Sequence, residues 1–156
     1  TRGHLTQSIY QREVFGQEVG PPPPVDLAVE RANGDFIRGL IETGVVSVCH
    51  DLSDGGLALA AAEIALASDI GLALTNPTRV ADVAFLFGED QARYLIAVAP
   101  GAADAVYEAA EAKGIPAEPV GVVGGCEVAF GGSAVDVADL RSAHEAWLPA
   151  YMAGNA

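Results

Sequence analysis

From Leu57 to Ala67 the chain reads Leu-Ala-Leu-Ala-Ala-Ala-Glu-Ile-Ala-Leu-Ala, and Glu63 is the one charged residue in it. Alanine and leucine are strong helix formers. A helix that is apolar on nearly every side is enclosed between layers and does not lie on a surface. The spacing predicts this helix over 55–67. Ahead of it, Val45-Val46-Ser47-Val48-Cys49 predicts a strand over 45–49, because β-branched residues suit a pleated, half-buried surface. The tip between them is His50-Asp51-Leu52-Ser53-Asp54-Gly55-Gly56, with two glycines that can turn the chain at positive φ. Strand, polar loop and enclosed helix are what the rest of the chain is organised around.

Two readings fit the loop. Asp51, Ser53 and Asp54 are each suited to cap the helix N-terminus, which makes the segment a plain strand–helix turn. Free N–H groups at the positive end of a helix dipole also suit a phosphate. In that case His50, Asp51, Ser53, Asp54, Gly55 and Gly56 are the candidate ligand-binding residues. The two aspartates bring negative charge of their own, which favours the first reading.

On either side the pattern alternates between helix and strand. Leu5 to Phe15 has apolar residues at 5, 9, 10, 14 and 15, a short amphipathic helix stopped by Gly16. An opening this apolar suggests a segment cut from something larger. Pro21–Pro24 forms a stiff extended spacer, so residues 1–24 are read as a lead-in helix and linker, and 25–156 as the domain. Asp26 caps a helix over 27–43, with Val29, Ala32, Phe36, Ile37, Leu40 and Ile41 on one face and Gly44 at its end. A short strand at 71–74, a helix at 79–87 packed through Val80, Val83, Ala84 and Phe87, and a central strand over 93–99 follow. A helix over 102–113 closes at Gly114-Ile115-Pro116. Val120–Val123 and Cys126–Phe130 flank Gly124-Gly125 as a hairpin, Gly131-Gly132 gives a second turn, and a last helix over 138–148 turns Leu140, Ala143, Trp147 and Leu148 inward. Asn155 and Ala156 are expected to fray. The fold class is α/β with some α+β character, a layered sandwich in which helices cover a mixed sheet.

Composition excludes several functions. With 8 basic and 21 acidic residues the formal charge is −13, a field that repels nucleic acid and anionic membranes. No apolar run reaches the roughly 20 residues of a membrane span, and Thr1-Arg2-Gly3-His4 leads into no export signal, so a cytoplasmic protein is expected. Cys49 and Cys126 read as reduced thiols. Cys49 and His50 are neighbours on a strand and point to opposite faces, so they make no nucleophile–base pair. His4, His50 and His144 are scattered without zinc spacing, and no P-loop is present. Asp51, Asp54 and Glu89 are the carboxylates to consider for Mg²⁺; a cap, a turn residue and a solvent contact are their plainer roles. In Phe87-Gly88-Glu89-Asp90-Gln91-Ala92-Arg93-Tyr94, Arg93 can grip an anion or form an internal salt bridge to Glu89 or Asp90, and the internal bridge is favoured.

Three segments carry a resemblance. His50-Asp51-Leu52-Ser53-Asp54-Gly55-Gly56-Leu57 resembles a signature loop of the formylglycinamide ribonucleotide amidotransferase (phosphoribosylformylglycinamidine synthase) family. Gln7-Ser8-Ile9-Tyr10 with Pro22-Pro23-Pro24-Val25-Asp26-Leu27 resembles its inter-domain lead-in, and Phe87-Gly88-Glu89 with Arg93-Tyr94 a later strand start. The resemblance implies a part of an ATP-dependent ligase of purine biosynthesis. That enzyme joins formylglycinamide ribonucleotide, glutamine-derived ammonia and ATP into formylglycinamidine ribonucleotide, with ADP and phosphate released. Its large subunit carries two aminoimidazole-ribonucleotide-synthetase-like units, and this chain looks like the second C-terminal half. ATP and magnesium are then cofactors of the whole enzyme, with neither bound tightly by this piece. The implied partners are the absent N-terminal domains of the same subunit, a glutaminase subunit and a small bridging subunit. No catalytic residue carries over, and the loop's implied place is at an auxiliary cleft. An apolar patch left uncovered would make the isolated chain self-associate. A different ligase of the same superfamily, or a non-catalytic metabolite- or protein-binding module, is the alternative.

Overall fold

The structure, a computed structural model, describes residues 1–154; Asn155 and Ala156, expected to fray, lie outside the described residues. Along the chain come α1 (Ile9–Phe15), α2 (Leu27–Glu42), β1 (Val48–Asp51), α3 (Gly56–Ser68), β2 (Leu72–Leu74) and α4 (Asp82–Phe87). They are followed by β3 (Tyr94–Ala97), a 3₁₀ turn (Pro100–Ala102), α5 (Ala103–Ala112), β4 (Gly121–Val123), β5 (Glu127–Phe130), β6 (Ser133–Asp136) and α6 (Val137–Met152). The chain divides into two compact units. Unit 1 is Thr1–Ala60 with Asn76–Pro119, and unit 2 is Ala61–Thr75 with the segment from Val120 onward.

Unit 1 holds an antiparallel ribbon of β1 and β3, in which Cys49 pairs with Ile96 and His50 with Leu95. Its core is Phe36 and Leu40 of α2, Val46, and Val106 and Ala110 of α5, with Cys49, Ile96, Val98 and Ile115 packed around them. Ser8 caps α1 and Asp26 caps α2, accepting from the N–H groups of Ala28 and Val29. Val29 and Ile41, placed on the apolar face of α2, stand at its exposed margin. The strand expected over 45–49 begins three residues later. The N–H groups of Val45 and Val46 both turn back to Leu40 O, at 3.0 and 3.2 Å, so the end of α2 consumes them. β3, expected as a central strand, pairs with β1 alone among the described strands. α4 is shorter than expected because Asn76 holds a turn: its Oδ1 accepts from Thr78 N at 3.0 Å, and its amide donates to Val80 O and Asp82. Ala84 and Phe85 are its buried residues, whereas Val83 is exposed. Gly114 ends α5 at positive φ, as its Gly-Ile-Pro sequence predicts, with Ile115 N bonded back to Ala110 O at 2.9 Å.

Unit 2 is built on a mixed four-stranded sheet in the order β4-β2-β5-β6. β2 runs antiparallel to β4 and parallel to β5, and β5 runs antiparallel to β6. The Gly124-Gly125 hairpin is therefore not formed: β2 lies between the two strands that these glycines join. Gly124 has φ 152°, far from the value a tight hairpin turn needs at both central residues. The two glycines instead straddle Gly71, which donates to Gly125 O and accepts from Gly124 N. A Cβ on Gly71 would sit 2.3 Å from Glu127 O, so glycine there allows the strands to meet. Gly131 and Gly132, at φ 57° and 86°, make the true two-residue hairpin between β5 and β6. α6 also departs from expectation. Val137 is buried, while Ala143, Trp147, Leu148, Tyr151 and Met152 are exposed, with Trp147 stacked on Tyr151. Arg141 of this helix reaches Leu66 O at 2.7 Å and Asp69 at 3.2 Å, so a guanidinium closes the carbonyl end of α3.

The architecture is mixed α/β with a mixed sheet, as expected. Ala60, Ala61 and Ala65 of α3 are at most 2% exposed, but Leu59 is 40% exposed and Ala67 is exposed too, so one side of the helix is enclosed where enclosure on nearly every side was expected. Among the described residues no helix is long and apolar enough to cross a membrane.

Candidate functional site

The loop between β1 and α3 lies in unit 1. His50 and Asp51 complete β1, and Leu52 N bonds to Arg93 O at 2.9 Å, extending the ribbon by one residue. His50 Nδ1 lies 2.6 Å from Asp51 O, a contact of the ring with the backbone of its own strand. The chain then turns through exposed Ser53 and Asp54, with Gly56 N donating to Ser53 O at 3.1 Å. Gly55 and Gly56, at φ 76° and 60°, are buried. The six candidate residues thus fall in three places: two on the strand, two at an exposed tip and two in the interior.

The interior glycines serve the chain itself. A Cβ on Gly56 would lie 2.6 Å from Gly88 O and 2.9 Å from Leu86 O, so the loop is pressed directly against the backbone of 86–88. Gly55 N donates to Glu89 Oε1 at 2.8 Å, and Ile9 N, the first residue of α1, donates to the same oxygen at 2.9 Å. Glu89 is 9% exposed, so the solvent contact expected for it is replaced by a buried anchor. Its own N–H reaches His4 O at 2.9 Å. Sequence reasoning weighed Glu89 as a metal ligand and missed this role, since nothing local shows which distant N–H groups a carboxylate will meet.

Asp90 extends the anchor. It accepts from the Thr1 hydroxyl and from Arg2 N. Burial alone pushes its carboxyl up, but the Thr1 hydrogen bond, the charge of Arg93 and the backbone N–H groups of Arg2 and His4 outweigh it and hold Asp90 below the ordinary value. Arg93 lies 4.0 Å from Asp90 and donates to Asp90 O and Gly88 O, so the internal bridge expected of it is present. Burial pushes the Cys49 thiol up, and Asp51 adds to the effect, so Cys49 keeps its proton and is a poor nucleophile.

The Glu89 oxygen is committed to two N–H donors, and no group of three His, Cys, Asp or Glu among the described residues could hold a metal. An open hollow in unit 1, lined by Tyr107, Glu111, Ile115, Pro116 and Pro119, shares no residue with the loop.

A family model described as AIR synthase related protein, C-terminal domain, matches residues 4–131. The chain belongs to this family. Phosphoribosylformylglycinamidine synthase subunit PurL of Caulobacter vibrioides is 56% identical over 153 residues, 97% of this chain and 20% of that protein. PurL of Rhodospirillum rubrum is 54% identical over 155 residues, 99% of this chain and 21% of that protein. The chain therefore spans about a fifth of the length of the curated relatives it matches. Among solved structures, T. maritima PurL complexed with FGAR superimposes with a TM-score of 0.71 at 20% identity, covering 84% of this chain and 24% of that one. PurLQS from Thermotoga maritima gives 0.65 at 20% identity, over 85% and 24%. T. maritima PurL complexed with ATP gives 0.60 at 20% identity, over 70% and 21%. At these identities the structural likeness shows the fold.

Proposed function

We propose that this chain is the second synthetase-like C-terminal domain of a PurL-type phosphoribosylformylglycinamidine synthase, with residues 1–24 leading into it and 25–156 forming the domain. The observation that carries the reading is the 56% identity to a PurL over 97% of this chain, at 20% of the relative's length. The whole enzyme joins formylglycinamide ribonucleotide, glutamine-derived ammonia and ATP in the cytoplasm, with magnesium. A glutaminase subunit delivers the ammonia and a small subunit bridges the two. This domain supplies a wall of the auxiliary cleft and no catalytic group, because the loop's buried glycines, Gly55 and Gly56, are occupied with their own chain. The isolated domain is inactive and binds neither ATP nor magnesium tightly. Its exposed apolar residues on α6 and β4 meet the remainder of the longer polypeptide, and in isolation they promote self-association.

The test is ammonia-dependent ATP hydrolysis with formylglycinamide ribonucleotide, run on this chain alone and mixed with the complementary part of a PurL. Activity in the mixture alone supports the reading. Activity of the chain alone contradicts the absence of a catalytic centre. Silence in both, with each part folded, favours a non-catalytic binding module.

A further inference from the structure

A strand–loop–helix with two glycines at the helix start is the arrangement that elsewhere receives phosphate on free N–H groups. Here a carboxylate of the same chain is in that place. Glu89 Oε1 takes the Gly55 N–H at 2.8 Å, just ahead of the first residue of α3, and takes the Ile9 N–H at 2.9 Å with the same atom. The group is 9% exposed, and a carboxylate that accepts two backbone N–H bonds is a strong, charge-assisted acceptor. A second observation points the same way. Gly56 carries the backbone of 86–88 against it, with Gly88 O only 2.6 Å from where a Cβ would stand, so the glycine's missing side chain admits the protein's own main chain. The charge of −13 also works against capture of a free anion.

We infer that Glu89 is the positioning residue of the 50–56 loop, a built-in anion that fills the phosphate place at the head of α3 and ties that loop to the first turn of α1. The loop is then a fixed wall that takes no phosphate. One oxygen couples two segments far apart in sequence, so whatever displaces Glu89 releases both at once. This stands on the chain's own geometry and holds whether or not the enzyme reading does.

The experiment is amide NMR of the chain with inorganic phosphate as probe, on wild type, Glu89→Ala and Glu89→Gln. In wild type the Gly55 and Ile9 amide protons are shifted downfield and exchange slowly, and added phosphate leaves Gly55 unmoved. In Glu89→Ala both signals move upfield together and exchange about tenfold faster or more. Glu89→Gln keeps an acceptor oxygen, so exchange stays near wild type while both signals move upfield for want of the charge. Should the alanine variant fail to fold, the glutamine variant carries the test: movement of Gly55 alone, or of neither amide, overturns the shared anchor. Saturable movement of Gly55 with phosphate in wild type overturns the filled site. ATP hydrolysis in the reconstitution is a separate signal, so loss of one reading is not mistaken for loss of the other.

Discussion

The two units differ in what holds their distant segments together. Unit 1 joins distant segments with buried charge: Glu89 and Asp90 hold residues 1–9 and the loop at Gly55, and Arg93 holds Asp90. Unit 2 joins its segments chiefly by strand pairing, and both units leave apolar side chains outside, with Leu27 of unit 1 78% and Met152 of unit 2 76% exposed. Solvent tolerates single exposed apolar residues, but a group of them marks a surface that meets something else. The difference teaches where the family's loop belongs. It lies against the buried carboxylate of Glu89 and the backbone of 86–88, so a conspicuous Gly-Gly tip is a packing device here.

The largest effect expected is in the unit 1 core. Phe36→Ala removes a ring that is 6% exposed and should cost about 3–5 kcal/mol, measured as a shift in the urea midpoint. Gly56→Ala should cost about 2–4 kcal/mol, since the new Cβ meets carbonyl oxygens and the residue must hold φ 60°. A near-neutral result would mean that the loop is not pressed against 86–88. Asp90 gives a pH-dependent break. Its carboxyl is held below 3.8 in the folded chain, so its contribution is complete well above that pH and fades as the pH falls through the lower folded value. Stability curves of wild type and Asp90→Asn should therefore differ near neutrality and converge in acid; a constant gap would contradict the anchor. The smallest effect belongs to unit 2. Leu148→Ser and Met152→Ser, at residues 58% and 76% exposed, should change stability by less than about 0.5 kcal/mol. They should nonetheless lower the weight-average mass in sedimentation at high concentration.

What the sequence made legible was local. The start of α2 at Asp26 and the stop at Gly114 each follow from a few adjacent side chains and appear as expected. The misreadings share a non-local cause. Gly124-Gly125 has the composition of a hairpin, but which strand lies beside β4 is decided by β2, some fifty residues earlier. Helical spacing shows that Leu140, Trp147 and Leu148 share an apolar side of α6, yet periodicity is silent on whether anything covers it. The loop residues were readable as a family signature, while their function depended on Glu89 and Ile9, whose nearness only the fold creates.

The most direct measurement is residue-resolved hydrogen exchange on this chain alone and after addition of the complementary part of a PurL. The account predicts slow exchange at Ile9 and Gly55 in both samples, with added protection in the mixture at Val122–Val123 and Trp147–Met152. Protection of Gly55 that arises only in the mixture, with 147–152 unchanged, would contradict it: the loop would then be the unfinished surface, and the buried carboxylate no anchor.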